Sequence, residues 1–253
     1  MVSTEPLTVT FADSNYLPLL RVWMPKLQGL GVSRVKIFCL DAAIYAACRA
    51  EGIDAEQVEW SGNLRDLWVQ RIKVFSALLA NGEEFVHSDI DAIWVRNPLR
   101  EGSAYGREED LLFSQGTVWP PDVHDRWGFV LCCGWFRARP TLPARAFFDG
   151  LEADVRATGD DQISVNRLLA RLEVKWSGAA NGDYQIPFRD RMVRCWREPI
   201  RAESARGGLS VALLPHREFQ RLPEQYSEAL VKHYLTPKNC AQKLAALQAH
   251  GLI

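Results

Sequence analysis

Asp89-Ile90-Asp91 places two carboxylates one residue apart, at the end of the apolar run Phe85-Val86-His87-Ser88. Hard oxygen ligands in that spacing suit Mn²⁺ or Mg²⁺ shared with a diphosphate. In an open α/β sheet, the carboxyl ends of the strands are also where ligands bind. The pair alone is weak evidence. The chain holds 15 Asp in 253 residues, so chance supplies about one Asp-x-Asp anywhere. The case rests on the setting.

Four other clusters offer matching chemistry, each with a plainer alternative. In Phe11-Ala12-Asp13-Ser14-Asn15-Tyr16, Asp13 is suited to accept from a base N–H and Tyr16 to stack on the base. Alternatively, Asp13 and Asn15 cap a helix and Tyr16 packs. Arg71 and Lys73 share a helix whose Trp68, Ile72 and Phe75 face the core, so at least one cation lies near the buried side and needs a partner. Asp89 is a candidate; a pair of solvated charges is the alternative. Asp160-Asp161-Gln162 opens a helix that also carries Asn166. A carboxylate is favoured at a helix start in any case, but capping does not require Gln162. His233 sits in Val231-Lys232-His233-Tyr234, upstream of Pro237, Lys238 and Lys243. It is either a hydrogen-bonded core residue or the third ligand of an Asp/Asp/His site, with Lys238 or Lys243 on the phosphates.

The elements that must position these residues follow from the patterning. Leu7, Val9 and Phe11 alternate with threonines and predict a strand. A helix follows over about Tyr16–Leu27, with Pro18 tolerated in its first turn. Val35–Leu40 predicts a second strand, Ala42–Ala50 a short helix ended by Gly52, and Gln57–Trp60 a third, weaker strand. Leu64–Ala80 is the strongest helix, with Trp68, Ile72, Phe75 and Leu79 on one face. This alternation predicts a mostly parallel sheet flanked by helices. Beyond Pro98 the pattern becomes mixed. Strands are expected near Leu111–Ser114, Phe129–Phe136, Val211–Leu214 and Val231–Tyr234; helices over Thr141–Ala157, from a cap at Asp160 or Asp161 to Arg171, and over Pro237–Ala249. The stretch 175–225 shows no pattern that places it. The expectation is one α/β domain over 1–253.

Composition narrows the classes. Hydrophobic content of 47%, charged content of 24% and a net charge of −1 are those of an ordinary globular chain with no global pull on nucleic acid. The Arg-rich stretch 189–206 reads first as a solvated face, with an acceptor or peripheral membrane contact as the lesser reading. Six cysteines lack any Cys-x-x-Cys pair, which predicts neither a zinc site nor a disulfide framework but a reducing compartment. No leader or membrane span is evident, so a cytoplasmic protein is expected.

In this order, FADSNY at 11–16, RIK at 71–73, SDIDAIWVRNP at 88–98, DQISVN at 161–166 and HYLTPK at 233–238 resemble the A-type glycosyltransferase (GT-A) fold. The similarity is to nucleotide-diphospho-sugar transferases and to glycosyltransferase family 8, the lipopolysaccharide galactosyltransferase and glycogenin group. The resemblance implies a Rossmann-like domain, with a nucleotide-binding half at 1–98 and an acceptor and sugar half at 99–253, and a metal-dependent, retaining transfer from a UDP-sugar to an acceptor. Acceptor pockets are built largely from loops, here expected at 100–127 and 175–225. The resemblance places Thr10, Ala12, Asp13, Asn15, Tyr16 and Ile90 at the nucleotide. Asp89, Asp91 and His233 would hold the metal, with Asp89 also near the ribose. Arg71 and Lys73 would hold the sugar and brace Asp89, Asp161 and Gln162 would flank the anomeric carbon, and Lys238 or Lys243 would pair with the diphosphate. Relatives often carry an Asn that contacts the donor sugar where this chain has Cys132, and a thiol cannot replace an amide's donors and acceptors.

Two other readings compete with this one. A haloacid-dehalogenase-like phosphatase also places Asp-x-Asp after an apolar strand, but that family usually opens with it. A catalytically silent sugar-nucleotide-binding module would account for Cys132.

Overall fold

A computed structural model describes residues 5–100, 108–177, 183–224, 228–237 and 239–253. The first half alternates as the patterning predicts. It runs β1 (Leu7–Ala12), α1 (Leu17–Gly29), β2 (Val35–Cys39), α2 (Ala42–Ala50), β3 (Ala55–Gln57), α3 (Leu64–Ala80), β4 (Phe85–Ser88) and β5 (Ile93–Trp94). The third strand falls two residues earlier than expected, because the backbone of Ile37 to Cys39 pairs with Ala55 to Gln57. Alternation on β1 does not mark a solvent face: Thr8 and Thr10 are as buried as Val9. A strand covered on both sides by helices hides both of its faces.

The second half comprises β6 (Leu111–Gln115), α4 (Pro121–Trp127), β7 (Leu131–Ala138), α5 (Leu142–Thr158), α6 (Asp161–Arg171), β8 (Lys175–Ser177), β9 (Asp183–Phe188), β10 (Arg191–Trp196), β11 (Ile200–Glu203), β12 (Ser210–Leu213), β13 (Phe219–Gln220), β14 (Val231–Lys232) and α7 (Cys240–Ala249). Helix α4 and strands β8 to β11 have no counterpart in the sequence patterning. The strand expected at Val231–Tyr234 is only two residues long and joins a small sheet, β13-β14-β5, rather than the main one.

The main sheet has nine strands in the order β3-β2-β1-β4-β7-β6-β12-β11-β8. Only β7 and β11 run against the rest. From β1 the chain adds β2 and β3 on one side, then crosses back to place β4 on the other. That reversal is a topological switch point, and a crevice opens outside the carboxyl ends of the two strands that flank it. Those ends are Ala12-Asp13 and Ser88-Asp89.

Packing holds the two strands in register. Val69, Ile72, Phe75 and Leu79 of α3 are buried against Phe85, Phe136 and Phe148, with Phe75 stacked on Phe85 at 5.0 Å between centroids. Each such side chain contributes about 1.5–3 kcal/mol by burial. On the opposite face, Trp23 of α1 donates its indole N–H to the Ala92 carbonyl (3.2 Å). Trp94 donates to Ser88 Oγ (3.1 Å), and the Asp89 N–H donates to the Gly134 carbonyl (2.8 Å). The turn that carries both aspartates is therefore tied to a helix, its own strand and β7. Among the described residues, no helix is long and apolar enough to cross a membrane, and all six cysteines are free.

Candidate active site

A cavity of about 350 Å³ lies at the switch point, within the size range of small-molecule sites. The ends of β1 and β4, the turn after β2, the start of α3 and the inner face of α7 supply its walls. Six of the residues expected at the nucleotide or metal line it: Ala12, Asp13, Tyr16, Asp89, Ile90 and Asp91. Arg71 and Lys243 line it as well, whereas His233 stands behind Asp91.

Period-two alternation of β4 puts Phe85, His87 and Asp89 on the α3 side. There Arg71, only 3% exposed, serves as a hub. Its guanidinium donates to Asp89 Oδ1 (3.5 Å) and the Cys133 carbonyl (3.0 Å), and pairs with Asp161 Oδ2 (3.3 Å). Its plane lies over Trp68, 4.9 Å from the ring centre. His87 Nε2 sits 2.7 Å from Arg71 Nη2 and 3.0 Å from Asp89 Oδ1, while its Nδ1 has no partner. Burial and the Arg71 charge push His87 down to about 4, so the ring is neutral at pH 7. A neutral Nε2 either donates to Asp89 or accepts from Arg71, and the tautomer sets which of the two bonds forms.

Asp91 faces the opposite wall. Its Oδ1 lies 3.4 Å from His233 Nε2, and its Oδ2 accepts from the Lys243 ammonium and from Thr236 Oγ1 (3.1 Å). His233 Nε2 is also 3.8 Å from Asp89 Oδ2. Burial alone would raise both carboxyls. Arg71 and His87 outweigh it at Asp89, as His233 and Lys243 do at Asp91, and both are held well below the usual carboxylate range. Burial and the Arg221 charge work against a charged imidazole at His233, yet Asp91 and the Cys132 contact lift it to about 9.

One ligand atom from each of Asp89, Asp91 and His233 falls within 4.8 Å of the others. Around an ion with bonds of about 2.1 Å, adjacent ligand atoms sit about 3 Å apart, so this set closes on a cation with small shifts. Two carboxylates and one imidazole suit Mn²⁺ or Mg²⁺.

The structure separates other expected residues from this group. Lys73 is exposed on the outer face of α3. Residues two apart on a helix point about 200° apart, so Arg71 and Lys73 cannot serve one pocket, and Arg71 is the inward one. Thr10 is buried against the α1 side, with no partner for its hydroxyl, and does not line the cavity. Asn15 is exposed at the rim and donates to Asp13 Oδ2 (3.3 Å). Lys238 lies outside the described residues.

The capping alternatives also resolve. Neither Asp13 nor Tyr16 caps α1 with a side chain, and Asp13 Oδ1 is buried with no partner among the described residues. Asp160 caps α6 through the Ile163 N–H (2.8 Å), which frees Asp161. That carboxyl is 6% exposed, and burial, opposed by Arg71, raises it to about 6. Gln162 donates its amide to the Trp119 carbonyl (2.8 Å), and Asn166 bonds both backbone groups of Leu131. Cys132 does not line the cavity. It is 2% exposed and turned to the back of His233.

Sequence reasoning misses His87, Trp60 and Trp68. A histidine in phase with Asp89 on an otherwise apolar strand is a usable signal. The tryptophans offer none, since they reach the cavity through tertiary packing.

A sequence model for nucleotide-diphospho-sugar transferases matches residues 30–252. Two arabinosyltransferases of Arabidopsis thaliana are similar to the chain. XEG113 is 22% identical over 57% of this chain and 25% of its own length, and RRA2 is 22% identical over 65% and 44%. The chain thus spans less than half of either. Among solved structures, the galactosyltransferase LgtC, in complex with donor and acceptor sugar analogs, superposes with a TM-score of 0.54 at 13% identity, covering 97% of this chain and 94% of that one. A glycosyltransferase involved in glycosylation of the major capsid of PBCV-1 superposes with a TM-score of 0.50 at 10% identity, covering 95% and 100%.

Proposed function

The chain belongs to the nucleotide-diphospho-sugar transferase family and has the A-type glycosyltransferase fold, and from that premise we propose that it moves a sugar from a UDP-sugar to an acceptor with a divalent cation and retention of configuration. The phosphatase alternative has no place in that family. The observation that carries the proposal is the pairing of two features in one cavity. Asp89 and Asp91 line it, with His233 behind them completing an Asp/Asp/His cluster, and Asp13 offers it a buried carboxylate oxygen with no partner among the described residues.

The roles follow from position. Asp13 accepts from the N–H of the base, and Tyr16 lies against the ring. Asp89, Asp91 and His233 hold Mn²⁺ or Mg²⁺, which supplies Lewis-acid stabilisation of the departing diphosphate when bound. Lys243 adds a fixed positive charge beside the same phosphates. Arg71 keeps Asp89 and Asp161 ionised and in place. Asp161 puts negative charge beside the anomeric centre. Gln162 has its amide nitrogen committed to Trp119, which leaves its side-chain oxygen to face a cationic sugar. Both Arabidopsis relatives are arabinosyltransferases, so a UDP-linked pentose is the first donor to test.

A thermal-shift screen of sugar nucleotides with and without Mn²⁺ tests the reading through ligand linkage. UDP-sugars with Mn²⁺ should raise Tm, and Asp91→Asn should abolish the Mn²⁺-dependent part and turnover while the fold persists. Unchanged turnover in Asp91→Asn would sink the metal assignment.

A further inference from the structure

His233 is gripped on both sides of its ring. Nε2 faces the carboxylates of Asp91 and Asp89 at 3.4 and 3.8 Å. Nδ1 faces the other way, 3.8 Å from Cys132 Sγ. The same sulfur accepts the Gly134 N–H at 3.4 Å. The imidazole packs closely against Gly134, where a Cβ would overlap the His233 ring and lie 2.8 Å from Asp89 Oδ2. The main chain of His233 is clamped as well: its N–H donates to the Gln220 carbonyl (2.8 Å), and its carbonyl accepts from Arg221 (2.6 Å).

An imidazole that coordinates through Nε2 must carry its hydrogen on Nδ1, and a buried Nδ1–H needs an acceptor. Metal-bound histidines usually hand that hydrogen to a carboxylate, a carbonyl or water. Among the described residues, the group at hydrogen-bond reach of His233 Nδ1 is the Cys132 sulfur. We infer that Cys132 is the positioning residue of the cation site: its sulfur accepts the Nδ1 hydrogen and holds His233 with Nε2 turned toward Asp89 and Asp91. This rests on the proposed divalent-cation site. It also recasts residue 132, from a lost sugar contact to a support for the metal ligand.

Two replacements separate the hydrogen bond from the packing. Valine matches cysteine in shape and accepts nothing, whereas serine is smaller and accepts well. Mn²⁺ affinity, measured by electron paramagnetic resonance titration of the free protein, should fall about tenfold or more in Cys132→Val, the loss typical of such supporting partners. It should stay within about threefold of wild type in Cys132→Ser, whose hydroxyl is a full acceptor. Cys132→Ala gives the same reading as valine should the valine variant not fold. In ¹⁵N spectra of the Mg²⁺-loaded protein, His233 should carry its proton on Nδ1 in wild type and in Cys132→Ser, and lose that fixed assignment in Cys132→Val. Equal affinity in Cys132→Val, or an equal loss in Cys132→Ser, would overturn the inference. Asp91→Asn is the control for the underlying site. Wild type that binds Mn²⁺ and loses it in Asp91→Asn leaves the cysteine arm to be judged alone. Wild type that binds no Mn²⁺ overturns site and inference together.

Discussion

Arginine does two different jobs at opposite ends of this molecule. Near the switch point, Arg71 is 3% exposed and touches two carboxylates, a carbonyl and an aromatic face. In the distal stretch 189–206, four of the six arginines each pair with one acid, and Arg189 and Arg197 lie over aromatic rings instead. Arg191 meets Asp125, Arg194 meets Asp183 at 2.6 Å, Arg201 meets Glu109, and Arg206 lies 3.7 Å from Glu173. Each distal pair keeps at least one partner open to water, even where Arg201 meets the buried Glu109, and such pairs gain little. The buried hub has lost its water and stands or falls with its partners. Counting arginines cannot tell the two apart; only the partners and the burial do.

Arg71→Met should break the buried side of this contrast. It leaves Asp161 buried and unpaired, and a cost of about 3–5 kcal/mol is expected, read by urea unfolding together with loss of donor binding. A cost below about 1 kcal/mol, the range of exposed pairs, would place Arg71 among the surface arginines.

The same hub sets a pH dependence. Asp161 is raised to about 6 in the fold, from an ordinary 3.8. The folded chain therefore holds a proton there that the unfolded chain releases. The stability this contributes is present below about pH 4 and is lost as pH rises through about 6. Relative to wild type, Asp161→Asn should gain up to about 3 kcal/mol between about pH 4 and about pH 7, since each tenfold difference in proton affinity between the folded and unfolded chains is worth about 1.4 kcal/mol. Unfolding free energies that run parallel for the two proteins across that range would contradict the assignment.

Gly134→Ala sharpens the contrast at the ligand end. A methyl there collides with the His233 ring and crowds Asp89, so Mn²⁺ affinity should drop about tenfold, or about 1.4 kcal/mol, measured by calorimetry. Arg194→Ala belongs to the other region. Its side chain is 49% exposed, and a change within about 0.5 kcal/mol is expected. A larger loss would mean that the distal network is cooperative.

The sequence is easiest to read where burial is strongest. The β-α alternation up to Pro98 and the placement of Asp89, Asp91 and His233 are visible because apolar periodicity and carboxylate spacing are local signals. Lys73 is drawn into the site only by its neighbourhood to Arg71, although helical geometry alone separates them. Cys132 reads as a defect because its partner comes from a segment 101 residues away. The distal strands escape for another reason. In β9, Tyr184, Ile186 and Phe188 alternate with Asp183, Gln185 and Pro187, but a proline in the run argues against a strand. The hairpin buries only a small cluster, around Val193, Cys195 and Leu222. Weak burial leaves weak periodicity.

The Asp91 contacts reach far along the chain. Lys243 meets Asp91 across 152 residues, and His233 arrives from the same C-terminal segment. In polymer terms these contacts are a clasp that closes most of the chain into a ring, and closing a long ring costs only slightly more entropy than closing a short one. A ligand that tightens the clasp should therefore be felt at the C-terminus. Bound donor and cation would slow proteolysis within α7, and trimming that helix would release the donor from the opposite end of the sequence.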